Sequence, residues 1–193
     1  MKPRLPVSLF LLLAATPVAA PAQIASREVN VTSDSASGWI PSEALERQAL
    51  DTLRTYFAAW DGGKADQAYA MMTPANRQMM PFAEFDKTTA VFHAVSGALI
   101  SRRVLKVTWT KDPPNSPEPG IYVAIDEAPR YVGASRQCGY VVLFQPPGGG
   151  PFQVMRTENN FLSDANAAKM APGQADSAWA AASANCPNYT AGS

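Results

Sequence analysis

The feature that most constrains this fold is a change in the spacing of apolar residues at Gly97. Before this glycine, apolar side chains recur at steps of three and four residues, which is the spacing of one face of a helix. After it, from Leu99 to Thr110, apolar and polar residues alternate, which is the pattern of a half-buried strand. The sequence therefore predicts helices followed by a sheet, in an α+β domain.

Two long helices are predicted before this point, with a shorter one between them. A stripe of apolar residues over 45–60 indicates the first helix, which Ser42 would cap. Residues 64–72 predict the short helix, and residues 82–95 carry a second apolar stripe. Each stripe covers only one side of its helix, which is typical of an amphipathic helix in a folded domain.

Four strands are predicted after the helices. Their connections are short, so neighbouring strands are expected to pair antiparallel as a meander. The connection Pro146–Pro151 contains three glycines, but neither a lysine nor a helix follows it, which excludes a phosphate-binding loop and indicates a hairpin tip. The predicted strands cover residues 99–110, 121–131, 137–145 and 152–162.

The N-terminal segment has the parts of a secretory signal peptide. Lys2 and Arg4 precede an apolar run, and Ala20 and Ala22 supply the small residues that a signal peptidase reads. We predict a signal peptide over residues 1–22, cleaved after Ala22, and a periplasmic or secreted bacterial protein. A retained N-terminal anchor is the alternative. No later stretch approaches the ~20 apolar residues of a membrane span.

The chain that remains after cleavage has the length of one domain. Residues 23–41 are rich in Ser, Thr, Asn, Asp and Gly, and they predict a disordered leader. Residues 42–163 contain the predicted helices and strands and form the folded domain. Residues 164–193 are alanine-rich and are interrupted at Pro172-Gly173, which predicts a C-terminal appendage.

The charge balance argues against polyanionic partners. Cleavage removes two of the 16 basic residues and none of the 16 acidic ones, which leaves a formal charge of −2. Such a chain has no field that would attract nucleic acid or an anionic membrane. Arg102, Arg103, Lys106 and Lys111 lie close together in sequence, but alternation would divide them between two faces of a strand, so we expect them in solvent.

The two cysteines, Cys138 and Cys186, are predicted to form a disulfide. Disulfides persist in the oxidising compartments that exported proteins reach, and an even number of cysteines favours pairing. The bridge would tie the C-terminal appendage to the third predicted strand. A zinc site fits poorly, because His93 is the single histidine and no Cys-x-x-Cys motif is present. We predict no metal and no cofactor.

Three stretches of the chain carry a family resemblance. The first is ALDTLRTYFAAWDGGKADQAYAMM, with a helix, an acidic-Gly turn and a second helix that contains a tyrosine. The second is VSGALISRRVLKVTWT, with Gly97, Ser101 and Arg102 at a strand entry, and the third is PEPGIYVAI. Residues 43–163 therefore resemble the nuclear transport factor 2-like, or cystatin-like, fold. More narrowly, they resemble the exported bacterial family called domain of unknown function 4019.

The resemblance implies N-terminal helices packed on a curved antiparallel sheet that forms a cone. The family's activity is undefined, and the wider fold includes isomerases, dehydratases, hydrolases and many non-catalytic binders. Gly139-Tyr140 and Arg156-Thr157 depart from the family's usual Glu-Thr and Gly-Tyr at these positions. The family is therefore better supported than any particular site.

If the cone is present, the last strand lines its cavity. Strict alternation places Arg156, Glu158 and Asn160 on the face that begins with Phe152 and Val154, so the cavity would be apolar at its base and polar at its mouth. Arg156 and Glu158 could then bind a polar ligand. A structural ion pair or a solvated strand end is the alternative.

Three residues on the predicted helices are further candidates for binding. Tyr56 and Tyr69 would reach the cavity, with core packing as the alternative for both. His93 is either a surface residue or a general base whose orienting partner the sequence does not identify.

The expected function is non-catalytic binding of a small molecule or a protein partner. A homodimer through the outer face of the sheet is one form that the protein could take. The alternative is an isomerase- or hydrolase-like enzyme that uses the cone cavity, for which no catalytic residue is assigned. Asp126, Glu127, Glu158 and His93 are the acid/base candidates. Asp126 and Glu127 are adjacent on a strand, so only one of them would face the cavity.

Overall fold

A computed structural model of the protein describes residues 29–190. The predicted signal peptide, residues 1–22, lies outside the described residues. Within the described range, six helices and five strands form a mixed α+β domain, and none of these helices has the length and apolar character of a membrane span. The helices are α1 (Glu43–Asp61), α2 (Ala65–Ala70), α3 (Pro74–Met79), α4 (Phe82–Ser96), α5 (Asp164–Ala167) and α6 (Gln174–Ser183), and the strands are β1 (Asn30–Val31), β2 (Leu99–Lys111), β3 (Ile121–Tyr131), β4 (Arg136–Gln145) and β5 (Gln153–Leu162).

The boundaries of the helical half follow local capping chemistry. Ser42 accepts a hydrogen bond from the Leu45 amide at 3.2 Å and begins α1, as predicted. Gly97 has a φ of +68° and ends α4, where its amide donates to the His93 carbonyl at 2.9 Å. The change from helix to strand therefore falls at the glycine where the apolar spacing changes.

The sheet is an open meander. Its strands lie in the order β1-β2-β3-β4-β5, and each pair from β2 to β5 is antiparallel, which confirms the predicted pairing. Helices α1 and α2 and part of α4 pack on one face, which we call the inner face. The core between them buries side chains from every layer, and this burial is the main favourable term in folding. Its large members include Leu53, Tyr56, Phe57, Phe85, Trp109, Val123, Ile125, Val141, Leu143, Phe152 and Val154.

The described part of the predicted leader, residues 29–41, packs onto the sheet, which differs from the predicted disorder. Asn30 and Val31 form β1, which pairs in parallel with the end of β2. The Trp39 ring lies 6.4 Å from the Trp109 ring, centre to centre. Apolar contacts with the core hold this segment in place, although its composition is polar.

A bulge in β5 reverses which side chains face the helices. Val142 of β4 lies opposite Arg156, but the next residue, Leu143, lies opposite Val154. Met155 is therefore an extra residue in β5, and the alternation of faces shifts by one position after it.

The predicted cavity-facing set on β5 is wrong beyond this bulge. Arg156, Glu158 and Asn160 lie on the outer face of the sheet, opposite the helices. Thr157 and Asn159 take their place on the inner face. A single unpaired residue produces this exchange because the side chains of a strand have a period of two.

A second bulge, in β2, turns Arg102 toward the helices. The pairing register with β3 shifts between Val104 and Lys106, so Leu105 is the extra residue. The side chain of Arg102 is consequently only 12% exposed. The prediction that Arg102 lies in solvent is therefore wrong.

The C-terminal segment packs on the outer face of the sheet. Cys138 of β4 and Cys186 form a disulfide with an S–S distance of 2.02 Å, which confirms the predicted bridge. Trp179 of α6 is buried beside this disulfide, and Asn188 donates a hydrogen bond to Asp126 of β3. The bridge therefore joins the segment to the sheet at a point that α6 also covers.

Candidate functional site

A buried ionic cluster lies between the end of α1 and the inner face of the sheet, and Arg102 is at its centre. Its Nη2 donates to both carboxylate oxygens of Asp61 at 2.9 Å and to the Tyr131 hydroxyl at 2.8 Å. Its Nη1 donates to Glu127, and the guanidinium carbon lies 3.6 Å from the centre of the Phe57 ring. One cation therefore holds two carboxylates at a site that is largely closed to solvent.

Burial governs the protonation of this cluster. Burial lowers the pKa of Arg102, but Glu127, Tyr131 and Asp61 together outweigh that effect, so the pKa lies above its ordinary value. Burial raises the pKa of Glu127, and Arg102 opposes the rise. Burial also raises the pKa of Tyr131, whose hydroxyl stays protonated and donates to Asp61. The cluster carries a charge of −1 when both carboxylates are ionised, and protonation of Glu127 makes it neutral.

A void of about 10 Å³ adjoins the cluster and has about the space of one water molecule. Two buried atoms of residues that line it, Arg102 Nε and Gln137 Oε1, have no hydrogen-bond partner in the structure. Tyr56 also lines the void. Buried polar atoms without partners are rare in native proteins, so each of these two atoms has the capacity for a further polar partner.

A groove of about 680 Å³ opens between α3, α4 and β5. Trp60, Phe85 and four methionines make its walls mainly apolar. Thr89, whose side chain lies in the wall, is 2% exposed, and its hydroxyl has no hydrogen-bond partner. Trp60, Thr157 and Asn159 line both the groove and the void, so the void adjoins the groove.

Most of this site lies in the part of the chain that matches a known protein family. The profile of the family described as protein of unknown function (DUF4019) matches residues 52–155, which is more than half of the chain. The protein belongs to the DUF4019 family. The match includes the whole Arg102 cluster and ends at Met155, before Thr157 and Asn159. No curated protein and no solved structure matches the chain.

In this DUF4019 protein, Arg156 and Glu158 form an ion pair with an N–O distance of 3.1 Å on the outer face. The Arg156 side chain is 63% exposed, and its guanidinium lies 5.4 Å from the centre of the Tyr140 ring. Arg156 also reaches the rim of the groove. Asn160 Nδ2 lies 3.6 Å from Cys186 Sγ, beneath the C-terminal segment. Of these three predicted binding residues, only Arg156 borders the groove.

The two predicted binding tyrosines have different positions. Tyr56 is 2% exposed and lies in the core at the wall of the void. The Tyr69 hydroxyl donates to the carbonyls of Arg77 and Met80 at 3.1 and 3.0 Å, which fixes α3 against α2. Packing and hydrogen bonding account for both side chains, while Tyr56 also borders the site.

His93 lies beside the end of α1, outside the groove. Its Nε2 donates to the Trp60 carbonyl at 2.8 Å, which gives one of the last carbonyls of the helix a partner. Asp61 and Asp86 line the same surface depression, of about 370 Å³. Within residues 29–190, His93 makes no hydrogen bond to a carboxylate. Its geometry therefore matches the structural alternative better than a general base.

The sequence did not predict that four of these residues belong to one site: Asp61, Arg102, Tyr131 and Gln137. Two signals were present, because Asp61 belongs to the acidic-Gly turn and Arg102 to the strand entry on which the family resemblance rests. Glu127 was named as an acid/base candidate, and the structure places it on the inner face, with Asp126 on the outer face. Convergence of these residues depends on the β2 bulge, which alternation alone does not predict.

Proposed function

We propose that this DUF4019 protein is an exported, non-catalytic domain that binds a small molecule in the groove between α3, α4 and β5. The observation that carries the proposal is the groove itself. Its volume of about 680 Å³ lies within the usual range of small-molecule sites, roughly 300–1,000 Å³. Its mainly apolar wall with a few polar side chains also resembles such sites.

The apolar wall suits a hydrophobic ligand of irregular shape. Met72, Met79, Met80 and Met155 line it together with the aromatic residues. Methionine side chains are flexible and polarisable, and they adapt to ligands of different outline. Met79 is 83% exposed, so it is available to close over a ligand at the groove mouth. The polar side chains, among them Thr89, would orient the ligand.

The state of the ionisable groups supports binding over catalysis. Asp61 and Glu127 are engaged by Arg102, and His93 is hydrogen-bonded outside the groove. General acid/base chemistry requires a titrating group within hydrogen-bond reach of the substrate. An isomerase- or hydrolase-like enzyme remains the second candidate, because Glu127 lines the void that adjoins the groove and burial raises its pKa. Turnover that Glu127→Gln abolishes would favour this candidate.

We also propose the cone of the nuclear transport factor 2-like fold for this domain. Helices precede an antiparallel meander and pack on one of its faces, as the resemblance requires. The bulges in β2 and β5 support the proposal, since bulges bend strands and increase their twist. The groove would then be the mouth of the cone.

Export to the periplasm or the medium forms part of the same proposal. The Cys138–Cys186 disulfide supports it, because such bridges persist in oxidising compartments. Mass spectrometry of the purified protein would give the mass of a chain that begins at Gln23. A mass that retained residues 1–22 would contradict cleavage.

Native mass spectrometry of the mature protein tests ligand binding. We expect a co-purifying small molecule on the wild type. Thr88→Trp fills part of the groove and should lose this molecule, since Thr88 lies in the groove wall. Lys87→Trp, at the neighbouring exposed position outside the groove, is the matched control and should retain it. Equal retention by both variants would exclude the groove as the site.

A further inference from the structure

We infer that the groove takes an amphipathic molecule with an uncharged hydroxyl head group, which binds between Arg102 Nε and Gln137 Oε1. The inference rests on the proposed function and adds the chemical class of the ligand. It follows from the size of the void, from the hydrogen-bonding capacity of the two atoms without partners, and from the charge of the Arg102 cluster.

The shape of the void limits the size of the head group. Trp60, Thr157 and Asn159 belong to both the groove and the void, so a molecule in the groove lies beside the void. About 10 Å³ is the space of one water molecule. A hydroxyl oxygen fits this space, whereas a carboxylate with two oxygens or a phosphate with four exceeds it.

The two atoms without partners require one group that both donates and accepts. Arg102 Nε can only donate, and Gln137 Oε1 can only accept. A hydroxyl accepts from the first and donates to the second at the same time. A carboxylate has no proton for Gln137, and an ammonium has no lone pair for Arg102.

The charge of the cluster also excludes an anionic head group. The Arg102 guanidinium already pairs with two carboxylates. Its Nη2 lies 2.9 Å from Asp61 Oδ1, and its Nη1 contacts Glu127, so two negative charges face one positive charge. A third anion would be repelled by both carboxylates in a site of low dielectric. A cationic head group would be repelled by the positively charged guanidinium of Arg102, whose Nε–H group it would face. An uncharged head group avoids both penalties.

The remaining walls match the apolar body of such a molecule. Met72, Met80, Met155 and Phe85 line the groove and supply apolar contacts. The Thr89 hydroxyl has no hydrogen-bond partner, so it can form a second hydrogen bond with a polar group on the body of the ligand. The site therefore fits a long-chain or polycyclic alcohol better than a fatty acid or an amine.

Calorimetric titration of the mature protein with decanol, decanoate and decylamine tests the head group, because these probes share one chain. Satisfying two buried polar atoms should make decanol bind at least about tenfold more tightly than either charged probe. Equal affinities, or tighter binding of decanoate or decylamine, would overturn the head-group inference and leave the groove in place as a binding site. Absence of binding by all three probes would overturn the inference as well. The proposed function fails separately, if Thr88→Trp retains the co-purifying molecule.

A pair of glutamine variants locates the head group. Gln137→Leu removes the acceptor and should weaken decanol binding about tenfold, while the affinity for decanoate stays the same. Gln153→Leu, on β5 but outside the groove, is the control and should bind decanol like the wild type. Circular dichroism would verify that both variants fold. Unchanged decanol affinity in folded Gln137→Leu would place the hydroxyl elsewhere and contradict the inference.

Discussion

At the scale of single residues, Arg102 connects three parts of the chain. Its guanidinium contacts Asp61 at the end of α1 and Glu127 and Tyr131 on β3. Removing ions from water costs several kcal/mol per ion, and only well-directed partners offset that cost. The cluster therefore holds the end of α1 against the sheet through directional contacts, which apolar packing does not supply.

The buried carboxylate of Glu127 should make stability depend on pH. Burial raises its folded-state pKa above the ordinary value of 4.5, so the folded protein holds this proton more tightly than the unfolded chain does. The free energy of unfolding should therefore fall as the pH rises from about 4.5 toward the raised pKa. Glu127→Gln lacks this decrease, and its stability relative to the wild type should improve with rising pH.

Urea denaturation of the wild type and Glu127→Gln, from about pH 4.5 to about pH 8, measures this difference. Glu158→Gln removes a carboxylate from the outer face and serves as the control for the loss of one negative charge. A stability difference between the wild type and Glu127→Gln that is the same at every pH would contradict the prediction.

At the scale of elements, the sequence predicted the strands but not the bulges within them. The spacing of apolar residues predicted the four long strands, β2 to β5, in their observed order, because burial of one face makes apolar and polar residues alternate along a strand. Nothing in the residues around Leu105 or Met155 signals an extra residue. The bulges depend on pairing with neighbouring strands, and this is why Arg102 and Thr157 were not recognised as inner-face residues.

The position of β5 after its bulge predicts a weak Arg156–Glu158 pair. Both side chains lie on the outer face and are at least 39% exposed, so water and salt screen their attraction. A double-mutant cycle with Arg156→Ala and Glu158→Ala should give a coupling energy below about 1 kcal/mol, measured by urea denaturation. A coupling of several kcal/mol would mean that the pair is buried, as strict alternation would have placed it.

At the scale of the whole molecule, both ends of the described chain are fixed to the sheet. Residues 29–41 pack along β2, and the C-terminal segment lies on the outer face. The disulfide was predictable, since an even number of cysteines after a predicted signal peptide favours pairing. The packing of residues 29–41 was not predictable, because only three apolar residues of this polar segment, Val29, Val31 and Trp39, pack against the core.

Removing the bridge with Cys138→Ala and Cys186→Ala should destabilise the protein. The bridge closes a loop across 48 residues, for which the chain-entropy model gives a stabilisation of about 4 kcal/mol. Urea denaturation of the double variant should show a lower midpoint than the oxidised wild type. An unchanged midpoint would mean that α6 and its contacts hold the segment without the bridge.

The extra residue at Met155 has a consequence for where β5 can change in length between related proteins. Loss of that one codon would make Arg156 the direct neighbour of Val154, and the two residues would keep their partners Val142 and Leu143. Arg156 and Glu158 would therefore stay on the outer face, and Thr157 and Asn159 would stay on the inner face. The groove would lose the Met155 side chain and keep the rest of its β5 lining. A deletion of one residue at the bulge is therefore an evolutionary change that this scaffold can absorb without inverting the strand.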